Sequence, residues 1–227
     1  MLIAEVWGVP PLQNVHGYVA RDDEKKELIV AMRGSGSVVD ILLDTAVALV
    51  PFISPGVTHL PSGVCVHSGF LIAWNAVALQ ILAILKEQFY IYEIKGYSLV
   101  AAGHSLGGSL ASLATVALKE NFPEHTMRCY TYGAPRTGNK EFADYFNATF
   151  GENACRVVHS SDGVCTIIPR SFGYHHHGVE YWQQDEENTV KCSGEGEDPR
   201  CSCKNTGGVN TAHMEYFGII ATTPFCL

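Results

Sequence analysis

The sequence predicts a single α/β domain with a mainly parallel central sheet. Short apolar runs of strand length alternate with longer segments that have helical spacing, which is typical of βαβ units. The chain has 227 residues, of which 47% are hydrophobic and 17% are charged. This composition can build a sizeable core, and α/β folds often exceed two hundred residues without dividing. We therefore expect one domain over residues 1–227.

The predicted elements alternate along the chain. Residues 27–33 are predicted to form a strand whose continuous apolar run, 28–32, we expect to be buried on both faces, and residues 64–70 are a turn-bounded connector into an apolar helix over 71–89. The later elements are strands at 97–102, 127–132, 155–159 and 179–183 and helices at 109–121 and 140–150. After residue 183 we expect loop until a final helix over 213–220. This order favours parallel strands joined by helices.

Charge and hydropathy argue against two classes of partner. The net charge is −8, the isoelectric point is near 5.6 and Lys and Arg do not cluster, so we expect no nucleic-acid partner. The longest apolar stretches, 41–56 and 71–85, are interrupted and are shorter than the roughly 20 apolar residues of a transmembrane helix. Glu5 stands where a signal peptide would have its basic n-region or its apolar h-region, so we expect no signal peptide here. An exported protein would carry its leader outside this chain.

Cysteine usage points to an oxidising compartment. Eight cysteines are many for a reduced cytosolic enzyme, and no Cys-x-x-Cys pair suggests a zinc ribbon or a thioredoxin-like motif. Three of them lie in a Gly- and Pro-containing segment at 192–208, which we interpret as a surface loop closed by one short disulfide. The tripeptide Asn147-Ala148-Thr149 is an N-glycosylation sequon and agrees with secretion, although such tripeptides often arise by chance.

The candidate nucleophile is a serine between a strand and a helix. Residues 103–107 read Gly-His-Ser-Leu-Gly and match Gly-x-Ser-x-Gly, with a buried strand before them and an Ala-rich helix after them. This is the context of a nucleophile elbow. The serine of such an elbow has strained backbone angles, and Gly103 and Gly107 leave room for the strand and helix to pack closely. We predict Ser105 as the nucleophile; the alternative is a Gly-rich turn whose serine caps the helix.

A nucleophilic serine needs a histidine to remove its proton and an acid to orient that histidine. On this type of fold the acid follows the serine and the histidine follows the acid. Asp162 comes directly after the 155–159 strand, at the sheet edge where catalytic groups gather. We prefer it to Asp144 on a predicted helix and to Asp185 in an acidic loop. His213 lies downstream, where a loop opens the last predicted helix.

Other histidines in the chain have simpler interpretations. The run at 175–177 invites a metal site, but three adjacent side chains cannot converge on one ion and no Cys, Asp or Glu partner has ligand spacing. His104 and His159 are expected to be packed, hydrogen-bonded side chains. We predict no metal site, and we expect no cofactor because Ser-His-Asp hydrolysis needs none.

Acyl transfer also needs donors for the oxyanion that develops on the substrate. One donor is the backbone N–H of Leu106, the residue after the serine. The second is expected from the loop after an earlier strand, where residues 33–36 read Arg-Gly-Ser-Gly. Ser35 could supply its N–H and its hydroxyl; a flexible turn is the alternative.

Six short segments, at residues 31–35, 103–108, 132–139, 156–163, 176–182 and 212–218, are spread along nearly the whole chain. In sequence and in order they resemble the fungal class 3 lipase family, which includes filamentous-fungal triacylglycerol lipases and type A feruloyl esterases. The resemblance implies an α/β-hydrolase fold with Ser105 as nucleophile, Asp162 as orienting acid and His213 as general base. It also places Ser35 and Leu106 at the family's oxyanion-hole positions.

The chain departs from the family pattern at several cysteines. Family members begin with an N-terminal helix that precedes the start of this chain, and a cysteine there pairs with one near the C-terminus, which leaves Cys226 without that partner. Cys65 likewise lacks the mate that it has in feruloyl esterases. By position in the family, Cys192 and Cys201 are the pair expected to form a disulfide, with Cys203 free.

Residues 38–60 occupy the position of the family's lid. Asp40 and Asp44 are the charged residues of a segment that is otherwise largely apolar, as expected for a flap that opens onto a lipid–water interface. This favours a secreted, extracellular lipase acting on triacylglycerol or other acylglycerol esters. A feruloyl or other carbohydrate esterase is the alternative, in which these residues would be core, and a non-catalytic lipid-binding relative is a remote one. The sequence leaves the oligomeric state open.

Overall fold

The computed structural model describes residues 1–9, 12, 14–34, 47–92, 94–193, 195–206 and 208–221. The predicted oxyanion residue Ser35, the first part of the predicted lid (38–46) and Cys226 lie outside these residues.

The described residues contain three α-helices and three sheets. The helices are α1 (Ser68–Lys86), which continues into a π-turn at Glu87–Ile91, α2 (Leu106–Asn121) and α3 (Lys140–Phe150). The longer strands are β1 (Leu2–Trp7), β2 (His16–Asp22), β3 (Glu27–Met32), β6 (Ser98–His104), β7 (Met127–Tyr132), β9 (Ala154–His159) and β11 (Val179–Gln183). The short strands are β4 (Leu49–Pro51), β5 (Cys65–His67), β8 (Gly138–Asn139), β10 (Tyr174–His175), β12 (Thr189–Lys191), β13 (Glu215–Tyr216) and β14 (Ile219–Ile220).

The central sheet has the order β1-β2-β3-β6-β7-β9-β11-β12. Strands β3, β6, β7, β9 and β11 run parallel, whereas β1, β2 and β12 are antiparallel strands at the two edges. Helix α2 packs against β3, β6 and β7. In β3 buried residues alternate with partly buried ones, so the expected burial on both faces of this strand is only partial. The carboxyl ends of the parallel strands meet at one edge, and the loops that follow β6 and β9 carry the candidate site residues.

A second, antiparallel sheet has the order β10-β8-β5-β4 and includes part of the predicted lid. Leu49 of β4 pairs with His67 of β5, Phe52 is 5% exposed and its ring packs against Phe142 of α3. Residues 49–52 are therefore built into the fold, although Ile53 beside them is 73% exposed. An opening lid stays a prediction, which now concerns residues 38–46.

Helix α1 is the most apolar helix of the described chain. The 24-residue span Ser68–Ile91 is long enough to cross a membrane and contains an 18-residue window with a mean hydropathy of 1.9, but half of that window is buried inside the protein. The buried side of α1, with Trp74 and Ile81 fully covered, packs against α2. Trp74 donates its indole N–H to Ser54 Oγ at 2.9 Å. These contacts are those of a core helix.

Most predicted elements match the structure within three residues, and three expectations were wrong. The expected connector at 64–70 contains strand β5, and α1 begins at Ser68, where His67 caps the helix by accepting from the N–H of Phe70. The expected loop after residue 183 contains β12. The expected final helix over 213–220 is instead a 3₁₀ turn followed by the β13–β14 hairpin. Phe217 and Gly218 both have positive φ there, which a helix does not allow.

Asn139 connects the second sheet to α3. Its Oδ1 accepts from the N–H of Phe142, as the cap of α3, and from the N–H of Cys65, while its Nδ2 donates to Gly63 O at 2.8 Å. We expect Asn139→Ala to lower the free energy of unfolding by about 2 kcal/mol, because a cap and two further hydrogen bonds are lost. Lys140→Ala, which removes an exposed ion pair with Asp144, should change it by less than about 0.5 kcal/mol. Urea unfolding measures both, and equal effects would contradict the role of Asn139.

Candidate active site

Ser105 lies on a strained turn between β6 and α2. Its backbone has φ of 58° and ψ of −127°, a conformation that a residue with a side chain adopts only when its surroundings impose it. The N–H of Ser105 donates to Tyr132 O of the neighbouring strand at 2.8 Å, which fixes the turn to the sheet. The side chain is 2% exposed. This is the geometry of a nucleophile elbow.

The glycines of the elbow are required by close backbone contacts. A Cβ on Gly103 would lie 2.1 Å from Gly107 O, and a Cβ on Gly107 would lie 2.2 Å from Met32 O. Strand β6, helix α2 and strand β3 therefore approach one another closely, and this approach holds the turn in its strained form.

Ser105, His213 and Asp162 form one chain of hydrogen bonds. His213 Nε2 lies 2.9 Å from Ser105 Oγ, and His213 Nδ1 lies 2.9 Å from Asp162 Oδ2. Since a carboxylate only accepts, Nδ1 carries the proton and Nε2 is free to accept from the serine hydroxyl. Asp162 is fully buried and His213 is 3% exposed. The structure thus brings together the three residues that the sequence singled out.

Two further groups hold the carboxylate of Asp162. The hydroxyl of Tyr216 donates to Oδ2 at 2.5 Å, and the N–H of Val164 donates to Oδ1 at 2.9 Å. Burial raises the pKa of Tyr216 well above its usual range, so this hydroxyl stays protonated and donates. Sequence reasoning missed Tyr216, which lies three residues after His213 and follows it into the hairpin.

Gly133 makes room for this network. It follows β7 with φ of 59°, and a Cβ built on it would lie 2.7 Å from both Asp162 Oδ2 and Tyr216 Oη and 2.9 Å from His213 Nδ1. Any side chain at this position would occupy the space of the carboxylate–imidazole contact.

His104 and His159 hold the backbone of the histidine loop. His104 Nε2 lies 2.7 Å from His213 O, and His159 Nδ1 lies 3.1 Å from Ala212 O, so each ring donates to a carbonyl of that loop. Burial, together with the adjacent His213, lowers the pKa of His104 to about 4, so its ring is neutral near pH 7. Both are hydrogen-bonded, packed histidines, as the sequence suggested, and both also position the His213 loop.

The region expected for the oxyanion hole lies beside Ser105. Leu106 is the first residue of α2, and its N–H is one of the free donors of a helix N-terminus. Gly34, at the end of β3, comes so close that a Cβ on it would lie 3.4 Å from Ser105 Cβ. Ser35 directly follows Gly34 in the sequence and lies outside the described residues, so its role stays a prediction.

The described cysteines and the histidine run at 175–177 lie outside the Ser105–His213–Asp162 chain. Cys192 and Cys201 form a disulfide, while Cys65, Cys129, Cys155, Cys165 and Cys203 are free thiols. Among the described residues one cluster has metal-ligand spacing, formed by Glu180 with the disulfide-bonded Cys192 and Cys201. Its sulfurs are oxidised and cannot act as thiolate ligands. In the run at 175–177, His177 is buried and its Nε2 lies 2.8 Å from Ser112 Oγ.

The fold and the hydrogen-bonded Ser-His-Asp chain at the carboxyl edge of its sheet define an α/β-hydrolase of the carboxylic ester hydrolase class. The chain belongs to the class 3 lipase family, which matches residues 29–172. The observed fold confirms the expected α/β-hydrolase fold, and the family match confirms the expected family.

Individual relatives are similar over most of this chain. The secreted alkaline triacylglycerol lipase of Penicillium cyclopium is 34% identical over 94% of this chain and 74% of its own length. The secreted mono- and diacylglycerol lipase 1 of Fusarium solani is 34% identical over 92% of this chain and 62% of its own. The crystal structure of a triacylglycerol lipase from Penicillium expansum superposes with a TM-score of 0.88 at 33% identity, covering 98% of this chain and 85% of that one.

Gly133→Ala tests whether the contact at Asp162 and His213 needs an empty space. We expect about 100-fold loss of ester hydrolysis, because the new Cβ pushes apart two groups whose alignment sets the rate. Gly151→Ala is the matched control: Gly151 also has positive φ, of 50°, but has nothing within 4 Å of a built Cβ. Gly151→Ala should lose about 1 kcal/mol of stability from its positive φ, and Gly133→Ala should lose more because its Cβ also overlaps buried atoms, so activities are compared per folded protein. Equal activities on that basis would contradict the assignment of Gly133.

Proposed function

We propose that the protein is a secreted lipase that hydrolyses acylglycerol esters at a lipid–water interface, with Ser105, His213 and Asp162 as its catalytic residues. The observation that carries the proposal is the pair of 2.9 Å contacts from His213, one to Ser105 Oγ and one to Asp162 Oδ2. This arrangement activates a serine hydroxyl for attack on an ester carbonyl.

The chemistry follows from the positions of the protons. Ser105 Oγ attacks the carbonyl carbon while His213 Nε2 takes the hydroxyl proton. The backbone N–H of Leu106, together with Ser35, donates to the resulting oxyanion. When the tetrahedral species collapses, His213 returns the proton to the leaving alcohol and an acyl-serine remains. Water then gives a proton to His213 as it attacks the acyl carbon. When this second tetrahedral species collapses, His213 returns the proton to Ser105 Oγ and the fatty acid is released. Asp162 stabilises the imidazolium in both halves.

An exposed apolar hairpin beside the catalytic histidine supports a lipid substrate. Phe217 and Ile219, in the β13–β14 hairpin, are 53% and 64% exposed, and Val209 before His213 is 45% exposed. The hairpin lies at the carboxyl edge of the sheet, because the N–H of Phe217 donates to Gln183 Oε1 at the end of β11. Apolar groups exposed next to a buried nucleophile gain free energy when they contact a lipid phase.

Two observations support secretion. The Cys192–Cys201 disulfide persists in oxidising compartments, and the relatives from Penicillium cyclopium and Fusarium solani are named as secreted lipases. The reaction itself needs neither metal nor organic cofactor.

The proposal is tested by the hydrolysis rate of a sparingly soluble triacylglycerol, measured through its solubility limit with Ser105→Ala as the blank. We expect the rate to rise sharply when an emulsion forms, and Ser105→Ala to be inactive. A hydrolysis rate that saturates below the solubility limit, or cleavage of soluble feruloyl esters without cleavage of triacylglycerol, would favour an esterase instead. Full activity in Ser105→Ala would contradict the catalytic assignment.

Interfacial contact by the hairpin has a separate test. We expect Phe217→Ser/Ile219→Ser to bind a neutral lipid emulsion about tenfold more weakly, because partial burial of these side chains contributes roughly 1–2 kcal/mol. Its kcat/KM on a soluble ester should stay within about twofold of wild type. Leu79→Ser is the control: Leu79 is 67% exposed on α1, and the neighbouring Gln80 bonds Trp7 O in β1 at the far edge of the sheet. Equal loss of binding in the control would contradict a role specific to the hairpin.

A further inference from the structure

The loop that carries Asp162 contains a strained residue of its own. Ser160, the first residue after β9, has φ of 43°, which for a residue with a side chain is unfavourable by about 1 kcal/mol or more. Such a conformation persists only when surrounding contacts impose it. The orientation of Asp162, two residues later, depends on those contacts.

Three groups hold Ser160 in this conformation. Its N–H donates to Gln183 O at 2.6 Å, and its carbonyl accepts from Trp182 Nε1 and from Asn205 Nδ2, each at 2.9 Å. Asn205 Nδ2 also lies 3.2 Å from Asp162 O. One side-chain amide thus donates to the carbonyls on both sides of Ser161 and closes the loop that presents the acid.

Asn205 is held in turn by the disulfide loop. It ends the short 3₁₀ turn Ser202–Lys204, with its N–H donating to Ser202 O at 2.8 Å. The turn follows Cys201 directly, and the N–H of Ser202 donates to Glu180 Oε1 at 3.0 Å. Glu180 is 1% exposed and pairs with the buried Arg156 at 2.7 Å. The carbonyl of Asn205 accepts from Thr166 Oγ1, on the other side of Asp162.

We infer that Asn205 is a positioning residue for the catalytic acid, through which the disulfide loop holds Asp162 in line with His213. The inference rests on the proposed function, since it assigns Asn205 to the same catalytic step. Within the described residues, the side-chain amide of Asn205 donates to the backbone of the acid loop and not to Ser105 or His213.

A second asparagine, Asn210, limits the expected effect of changing Asn205 to a partial loss of alignment. Asn210 Nδ2 donates to Ser161 O at 2.8 Å, and its Oδ1 accepts from the N–H of His213 at 3.3 Å. The acid loop and the histidine loop therefore stay connected when Asn205 is changed. Loss of the Asn205 amide should misalign Asp162 without releasing it.

The experiment compares Asn205→Ala and Asn205→Asp with wild type on a soluble ester. Asn205→Asp keeps the size of the side chain but loses the Nδ2 donor. Active sites are first titrated with a fluorophosphonate, so that kcat is expressed per functional active site. We expect this kcat to fall about tenfold in both variants, with KM within twofold of the wild-type value. Asn188→Ala removes an amide that donates to Asp185 in an exposed loop and should behave as wild type.

A spectroscopic measurement separates alignment from general stability. The proton of His213 Nδ1 shared with Asp162 gives a far-downfield resonance in ¹H NMR, which should broaden or shift in both Asn205 variants and stay in place in Asn188→Ala. Wild-type kcat in Asn205→Asp, or a loss of activity matched by an equal loss of titratable sites, would overturn the inference. If the wild type itself fails to hydrolyse esters, the proposed function fails, and the resonance still tests whether Asn205 aligns the pair.

Discussion

The backbone of Ser105 has φ of 58° and ψ of −127°, and the carboxyl edge of the sheet is built around this strained turn. The turn exists because β3, β6 and α2 approach with glycine between them, and a Cβ on Gly103 or Gly107 would overlap backbone atoms. The unfavourable local conformation is offset by burial of the parallel strands and of α2 on both sides. The result is a serine hydroxyl at a fixed point, to which the other two loops must be fitted.

Hydrogen bonds hold the acid loop and the histidine loop in position relative to this serine. The carboxylate of Asp162 accepts from His213, Tyr216 and Val164, and the histidine loop is held by His104 and His159. These donors satisfy the oxygens of a fully buried carboxylate, whose burial without partners would be strongly unfavourable. In the proposed reaction, this carboxylate stabilises the imidazolium that forms when His213 takes the serine proton. The same donors explain why Gly133 has no side chain, since a Cβ there would overlap the carboxylate.

The sequence predicted those parts of the site that depend on local pattern. Ser105 was found from its flanking glycines, and Asp162 and His213 from chain order after a buried strand. Tyr216, Gly133 and Asn205 were not assigned roles, because each acts through a contact between segments distant in sequence, and nothing in their neighbours signals it. The helix expected over 213–220 failed because Phe217 takes a positive φ that its residue type disfavours. Strands β1 and β2 were not predicted because neither is a continuous apolar run. The edge strand β1 has half of its residues exposed, and β2, which lies between β1 and β3, begins at His16 and ends at Asp22.

The most direct test of the account is covalent labelling by a fluorophosphonate, followed by intact mass measurement and peptide mapping. A phosphonate reacts with a serine only where a base accepts its proton and donors stabilise the developing oxyanion. The account predicts one equivalent of label on Ser105 and a large drop in labelling rate when His213→Ala removes the base. Label on another residue, or a folded wild-type protein that takes up none, would contradict it.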